Sequence, residues 1–219
     1  MFKQIILPIF CLFTSIFFHS CNNGINEPTN SVTLRQPFTA GYAVYYGTYY
    51  DYLGIDTHVF ELDLYTEGLG LDSTGQYVGT GQNLYMTDIF SIGSDSLLAE
   101  GNYTIDTLYQ YTTGSVLGGA SYGGIPGGAL LINISSTGIS YDYIISGTMT
   151  VAYSNDSTTL NFKLQTKQGT LIENQFRGIL PQFNMSNSED SEDSSQIHIN
   201  HYKSSKKHSK TCFKAENRL

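Results

Sequence analysis

Between Phe38 and Pro181 the chain predicts an all-β domain: an antiparallel barrel of eight or nine strands, with a β-sandwich as the alternative. Three observations carry this. "HVFELDLYT" (58–66) alternates, with Phe60, Leu62 and Leu64 on one face and Glu61 and Asp63 on the other. "TTLNFKLQT" (158–166) does the same, setting Leu160, Phe162 and Leu164 against Asn161, Lys163 and Gln165. Turn residues recur at short intervals in "DYLGID", "LDSTG", "SNDS" and "TKQG", and no helical period runs between them.

The elements follow in chain order. Residues 1–20 carry Lys3, then an apolar run from Ile5 to Phe18 broken by Pro8. That run is shorter than the roughly 20 residues a membrane-spanning helix needs, and its layout is that of a secretory signal. "Phe18-His19-Ser20-Cys21" resembles the lipobox of bacterial lipoproteins, with His19 departing from the small residue usual there. The resemblance implies cleavage before Cys21 and a lipid on its thiol. Two or more acyl chains hold a protein stably, whereas one holds it marginally. Cys11 would leave with the signal, so Cys212 is the one thiol expected to remain, and no disulfide is expected within the mature chain.

Residues 21–37, polar with two prolines, read as a tether. Strands are expected near 41–50, 57–66, 83–91, 101–111, 129–136, 139–153, 158–166 and 170–180, with a short one at 76–79. Residues one hundred apart echo each other: Gly47-Thr48 with Gly147-Thr148, Phe60, Leu62, Leu64 and Thr66 with Leu160, Phe162, Leu164 and Thr166, and Leu71 with Leu171. Shared hairpin chemistry explains such an echo, and so do two related halves of four strands. The second origin favours a meandering barrel. The Gly-rich stretch "GSVLGGASYGGIPGG" reads as a mobile connection between strands. Residues 182–219 pair an acidic block with a basic one, carry few apolar residues and are expected to be disordered.

Residues 38–181 hold three basic and thirteen acidic side chains, a net charge of −10. A body so acidic repels phosphate backbones, which argues against nucleic-acid binding. Glu61 and Asp63 share a strand face and have the pairing that glycoside hydrolysis uses, but any solvated strand face shows the same pattern. His58 has no nucleophile or orienting acid marked beside it, and no Gly-x-Ser-x-Gly elbow occurs. The Gly-rich stretch lacks the Lys-Ser/Thr of a phosphate-binding loop. His198, His201, His208 and Cys212 fit no zinc module. No catalytic residue, metal site or cofactor is therefore expected. In "GYAVYYGTYYDY" the tyrosines fall on both parities, so some rings must lie outside the core. Tyr45, Tyr46, Tyr49, Tyr50 and Tyr52 are the candidate ligand contacts, since tyrosine joins an apolar body to a polar tip.

Ser73, Ser96, Thr107 and Ser157 follow aspartates in a pattern that resembles the O-glycan acceptor of exported Bacteroidota-type proteins; turns favour the same dipeptides. The lipobox, "YYGTYYDY", "LAEGNYTID" and "FRGIL" together resemble the small β-rich lipoproteins of Bacteroidota-type bacteria. That resemblance implies a lipocalin-like or sandwich-like domain held to the outer membrane by lipid at Cys21, in the periplasmic leaflet or at the cell surface. It implies a non-enzymatic module that binds a glycan, a lipid or an envelope protein. The alternatives are a structural subunit of an envelope assembly and a glycan hydrolase.

Overall fold

Alternating apolar residues and closely spaced turns produce strands throughout, and the described residues contain no α-helix. The computed structural model of the 219-residue chain describes residues 36–186 together with the backbone of Thr33 and Leu34. The signal, Cys21 and the tail's histidines and Cys212 lie outside the described residues. Fifteen strands run in order: β1 (Thr33–Leu34), β2 (Phe38–Tyr45), β3 (Val59–Thr66), β4 (Leu69–Leu71), β5 (Tyr77–Gly79), β6 (Gly81–Phe90), β7 (Gly101–Asp106), β8 (Ser115–Leu117), β9 (Ala120–Tyr122), β10 (Ile125–Gly127), β11 (Ala129–Ser135), β12 (Gly138–Ser154), β13 (Ser157–Thr166), β14 (Leu171–Gly178) and β15 (Gln182–Asn184). Eleven form one mixed sheet, and β4–β5 and β9–β10 are separate two-stranded hairpins.

Pairing runs antiparallel from β2 to β3, β6, β11, β12, β13 and β14 in turn. β14 then meets β2 in parallel at Phe176 opposite Phe38. The same parallel seam continues at both ends, where β1 lies along β14 and β15 along β2. β7 and β8, parallel to each other, bridge β12 and β6 beyond the reach of β11. One buried apolar cluster takes alternate residues from every strand of this path, including Ala43, Leu62, Met86, Leu131, Met149, Phe162 and Phe176.

The hundred-residue echo has a structural counterpart with a shifted register. Gly41 faces Leu64 and Gly147 faces Leu164, each just past a bulge that follows Phe38 or Ile144. A Cβ on Gly41 would lie 2.3 Å from the Asp63 carbonyl oxygen, and one on Gly147 would lie 2.1 Å from that of Lys163. The residue equivalent to Gly147 is thus Gly41, not Gly47, which lies in the loop after β2. Leu84 opposite Leu64 matches Ile172 opposite Leu164, so Leu71 is not the partner of Leu171. The cause is the β4–β5 hairpin, inserted between β3 and β6 where β13 and β14 are joined by a tight turn.

Four expectations change. The strand expected at 41–50 stops at Tyr45 and gives way to turns and a short 3₁₀ segment, Asp51–Leu53. That expected at 101–111 stops at Asp106, whose carboxylate accepts the backbone N–H groups of Leu108, Gln110 and Tyr111 and curls the chain. The Gly-rich stretch is built structure: it supplies β8, β9 and β10. Its glycines permit close backbone crossings, since a Cβ on Gly119 would lie 2.2 Å from the Ala129 carbonyl oxygen. β15 begins directly after the expected boundary at Pro181 and extends the sheet, with the Met185 N–H donating to the Tyr45 carbonyl at 2.8 Å.

Candidate functional site

Strand β3 is where the structure departs most from its sequence pattern. Its alternation predicts one buried and one solvated face, yet all eight residues are buried, Glu61 at 3% exposure and Asp63 at 0%. The solvated-face reading of these two acids is therefore corrected. The cause is a second apolar layer on the outside of the sheet. There Tyr42, Val44, Tyr65, Tyr85, Leu130 and Ile132 pack with Leu69, Leu71 and Tyr77 of the β4–β5 hairpin. Strand β13, with the same alternation, has no such cover: Asn161, Lys163 and Gln165 are exposed.

The buried acids are met by phenols and an amide. The Tyr42 hydroxyl donates to Asp63 Oδ2 at 2.9 Å. Asn83 Nδ2 donates to Asp63 Oδ1 and, at 3.0 Å, to the Leu64 carbonyl, while the Tyr77 hydroxyl donates to Asn83 Oδ1 at 2.9 Å. Tyr46 and Tyr85 both donate to Glu61 Oε2, at 3.0 and 3.1 Å. Burial raises the Tyr65 phenol, and the charge of Asp63 and a side-chain hydrogen bond with it push the same way.

A third acid joins from β6. Thr87 and Asp88 together oppose Glu61, a bulge that gives Asp88 a left-handed φ of 53°. Asp88 is buried and accepts from the Tyr50 hydroxyl at 2.5 Å. Among residues 36–186 the lysines and arginines are Lys163, Lys167 and Arg177, all exposed and carried by β13, the turn after it and β14.

Burial governs the titration of these acids. Desolvation, then the charge of Asp63, pushes Glu61 up to about 8 from its ordinary 4.5, against the opposing bonds from Tyr46 and Tyr85. Burial raises Asp88 as well, opposed by its bonds from Tyr50 and Thr87. Burial and the neighbouring carboxylates raise Tyr42, Tyr77 and Tyr85, so these phenols stay protonated and remain donors.

The five candidate tyrosines divide. Tyr45 enters the inner core, where its hydroxyl pairs with His58 Nδ1 at 2.6 Å and its ring stacks on the imidazole. Tyr50, 1% exposed, sits with Val59 and Phe90 in a cluster that Tyr46, Tyr49 and Tyr111 flank. Tyr46 reaches Glu61, and Tyr49 packs edge-on against Tyr50 at 4.9 Å. Tyr52 alone of the five is exposed, at 57%. Tyr65, Tyr77, Asn83, Tyr85 and Asp88 join the site without having been candidates. Their signal is that "NLYMTD" places Asn83 and Tyr85 opposite the polar parity of β3.

His58 points to the inner side while Glu61 and Asp63 point outward, so these three do not converge. Ser73, Ser96 and Thr107 are exposed and Ser157 is half-buried. The Asp72 carboxylate is already used within its turn, accepting from the Thr74 and Gln76 backbone and the Thr74 hydroxyl. Among the described residues no group of three or more His, Cys, Asp or Glu side chains could hold a metal ion, and no helix is long and apolar enough to cross a membrane. Comparison with protein-family models, curated proteins and solved structures gives no match.

Proposed function

We propose that this chain is a lipid-anchored envelope protein whose β-domain, a closed seven-strand barrel, binds a ligand or partner without catalysing a reaction. The observation that carries the binding reading is the contrast between the halves. Equivalent strands share one backbone frame, and only β3 turns its polar face into a covered acid–tyrosine cluster. A purely structural strand has no need of that, because burying carboxylates costs free energy that solvated Asn161 and Lys163 avoid. Against catalysis stands the occupation of both Asp63 oxygens and of Glu61 Oε2 by phenol and amide donors in a covered layer.

The barrel reading draws on the pairing path that returns from β14 to β2 and on one apolar cluster fed by all seven strands. The anchor reading draws on the lipobox-like sequence at Cys21. From there to β1 at Thr33 an extended chain reaches roughly 40 Å, which holds the domain close to the outer membrane.

The test is a panel of glycans, lipids, amines and envelope proteins, run with the wild type and with Tyr46→Phe and Tyr77→Phe. A ligand weakened by those changes supports the reading, and binding indifferent to both removes this face from it. A glycosidase and esterase panel with Glu61→Gln decides the rival: turnover that disappears in the variant establishes the hydrolase.

A further inference from the structure

The two ends of the domain lie side by side. Thr33 and Leu34 pair in parallel with Leu171 and Ile172, Phe38 with Phe176, and Ala43, Val44 and Tyr45 with Gln182, Phe183 and Asn184. The offset stays at 138 residues from the Thr33–Leu171 pair to the Phe38–Phe176 pair, and is 139 from Ala43–Gln182 onward. These pairs therefore belong to one ladder between the entering and the leaving chain. From Thr33 to Tyr45 it is roughly 40 Å long at the usual strand rise. Further contacts hold it where the backbone pairing thins. Asn174 Nδ2 donates to the Gln36 carbonyl, and the Ala43 N–H donates to the Pro181 carbonyl at 2.9 Å. Phe38 and Phe176 share the inner apolar cluster, and the Tyr42 ring meets Phe183 edge-on at 6.0 Å.

Direction is what gives this seam a mechanical character. Because both chains run the same way, the domain is entered at one end of the ladder, at Thr33, and left at the other, at Asn184. Tension between those ends runs along the strands and across the hydrogen bonds that join them, so the bonds are loaded together. An antiparallel neighbour pair behaves differently. Thr158 faces Gly178 at one edge of β13 and β14, and a pull that separates that edge opens the bonds in turn. We infer that this domain is a load-bearing link, in which tension arriving ahead of Thr33 and leaving beyond Asn184 is carried in shear by the parallel seam. The inference goes beyond the binding reading and needs neither a ligand nor a lipid. Where lipid is attached at Cys21, the membrane supplies the pull at the Thr33 end.

The experiment is single-molecule unfolding of the full chain at constant force, in a background of Cys11→Ser, Cys21→Ser and Cys212→Ser. The molecule is held either by cysteines added at its two ends or through Asp156→Cys and Ile179→Cys, two exposed positions at the shared edge of β13 and β14. At equal force, unfolding by the ends is expected to be about thirtyfold slower, the effect of two bonds that must break together at about fivefold each. Asn174→Ala removes one seam bond, so it should speed unfolding by the ends about fivefold and leave the other geometry unchanged. A general loss of stability speeds both geometries alike, which separates it from a loss of the seam. Should Asn174→Ala fail to fold, ending the chain after Pro181 removes the last three pairs and should act with the same selectivity. Equal rates in the two geometries, faster unfolding by the ends, or an Asn174→Ala effect that is absent or common to both overturns the inference. Failure of the ligand panel or of lipid attachment leaves these rates unchanged, so the binding and anchor readings stand or fall separately.

Discussion

Replacing Glu61 with Gln gives the most quantitative prediction. The unfolded chain releases this proton near pH 4.5, whereas the folded chain keeps it until about pH 8, because burial and Asp63 disfavour the charge. The folded-state pKa is raised, so this group's contribution is full below pH 4.5 and lost as pH climbs toward 8. At about 1.4 kcal/mol per pH unit, the window amounts to about 5 kcal/mol. Asp88, also raised by burial, adds a loss of the same sign in both proteins. Urea unfolding of wild type and Glu61→Gln at half-unit steps from pH 4.5 to 9 isolates the Glu61 share as the difference between the curves. Wild type should gain on the variant as the solution is acidified and fall behind it toward pH 8. Parallel curves would refute the claim that burial and Asp63 disfavour the Glu61 charge.

Other outcomes follow from single contacts. Tyr50→Phe strips the 2.5 Å bond from buried Asp88 and should cost about 1–3 kcal/mol by chemical denaturation; an unchanged midpoint would mean that Asp88 has another sufficient partner. Gly147→Ala forces a carbon to 2.1 Å from the Lys163 carbonyl oxygen at a φ of 119°, and a loss of about 3 kcal/mol is expected in thermal unfolding. Ending the chain after Pro181 removes β15 and the contact of Phe183 with Tyr42 at 6.0 Å; the melting temperature should drop by the equivalent of about 1–2 kcal/mol, and no drop would show β15 to be dispensable. Cys21→Ser should move the protein from the membrane fraction to the soluble one, with the lipid mass absent from the N-terminal peptide.

The long strands were legible because period-2 alternation is a local property. Phe60, Leu62 and Leu64 enter the core as their parity requires, and so do Leu160, Phe162 and Leu164. The burial of Glu61 and Asp63 was not legible, because it depends on a hairpin from 69–79 folding back over the sheet. Nothing local to β3 separates its polar face from that of β13, since "ELD" and "NFK" alternate equally well. Tyr45 and Tyr50 were indistinguishable from Tyr52 for a related reason. The strand stops at Tyr45, and the turns after it send Tyr50 inward to Asp88 and Tyr52 outward. β15 escaped notice because three residues beside a highly polar tail carry no periodic signal; the seam with β2 gives them their strand.

A carbon-13 titration of the Glu61 side-chain carboxyl, followed by NMR, reads the covered acid–tyrosine face most directly. The expected midpoint is near 8. A midpoint at the ordinary 4.5 would contradict the burial of this acid.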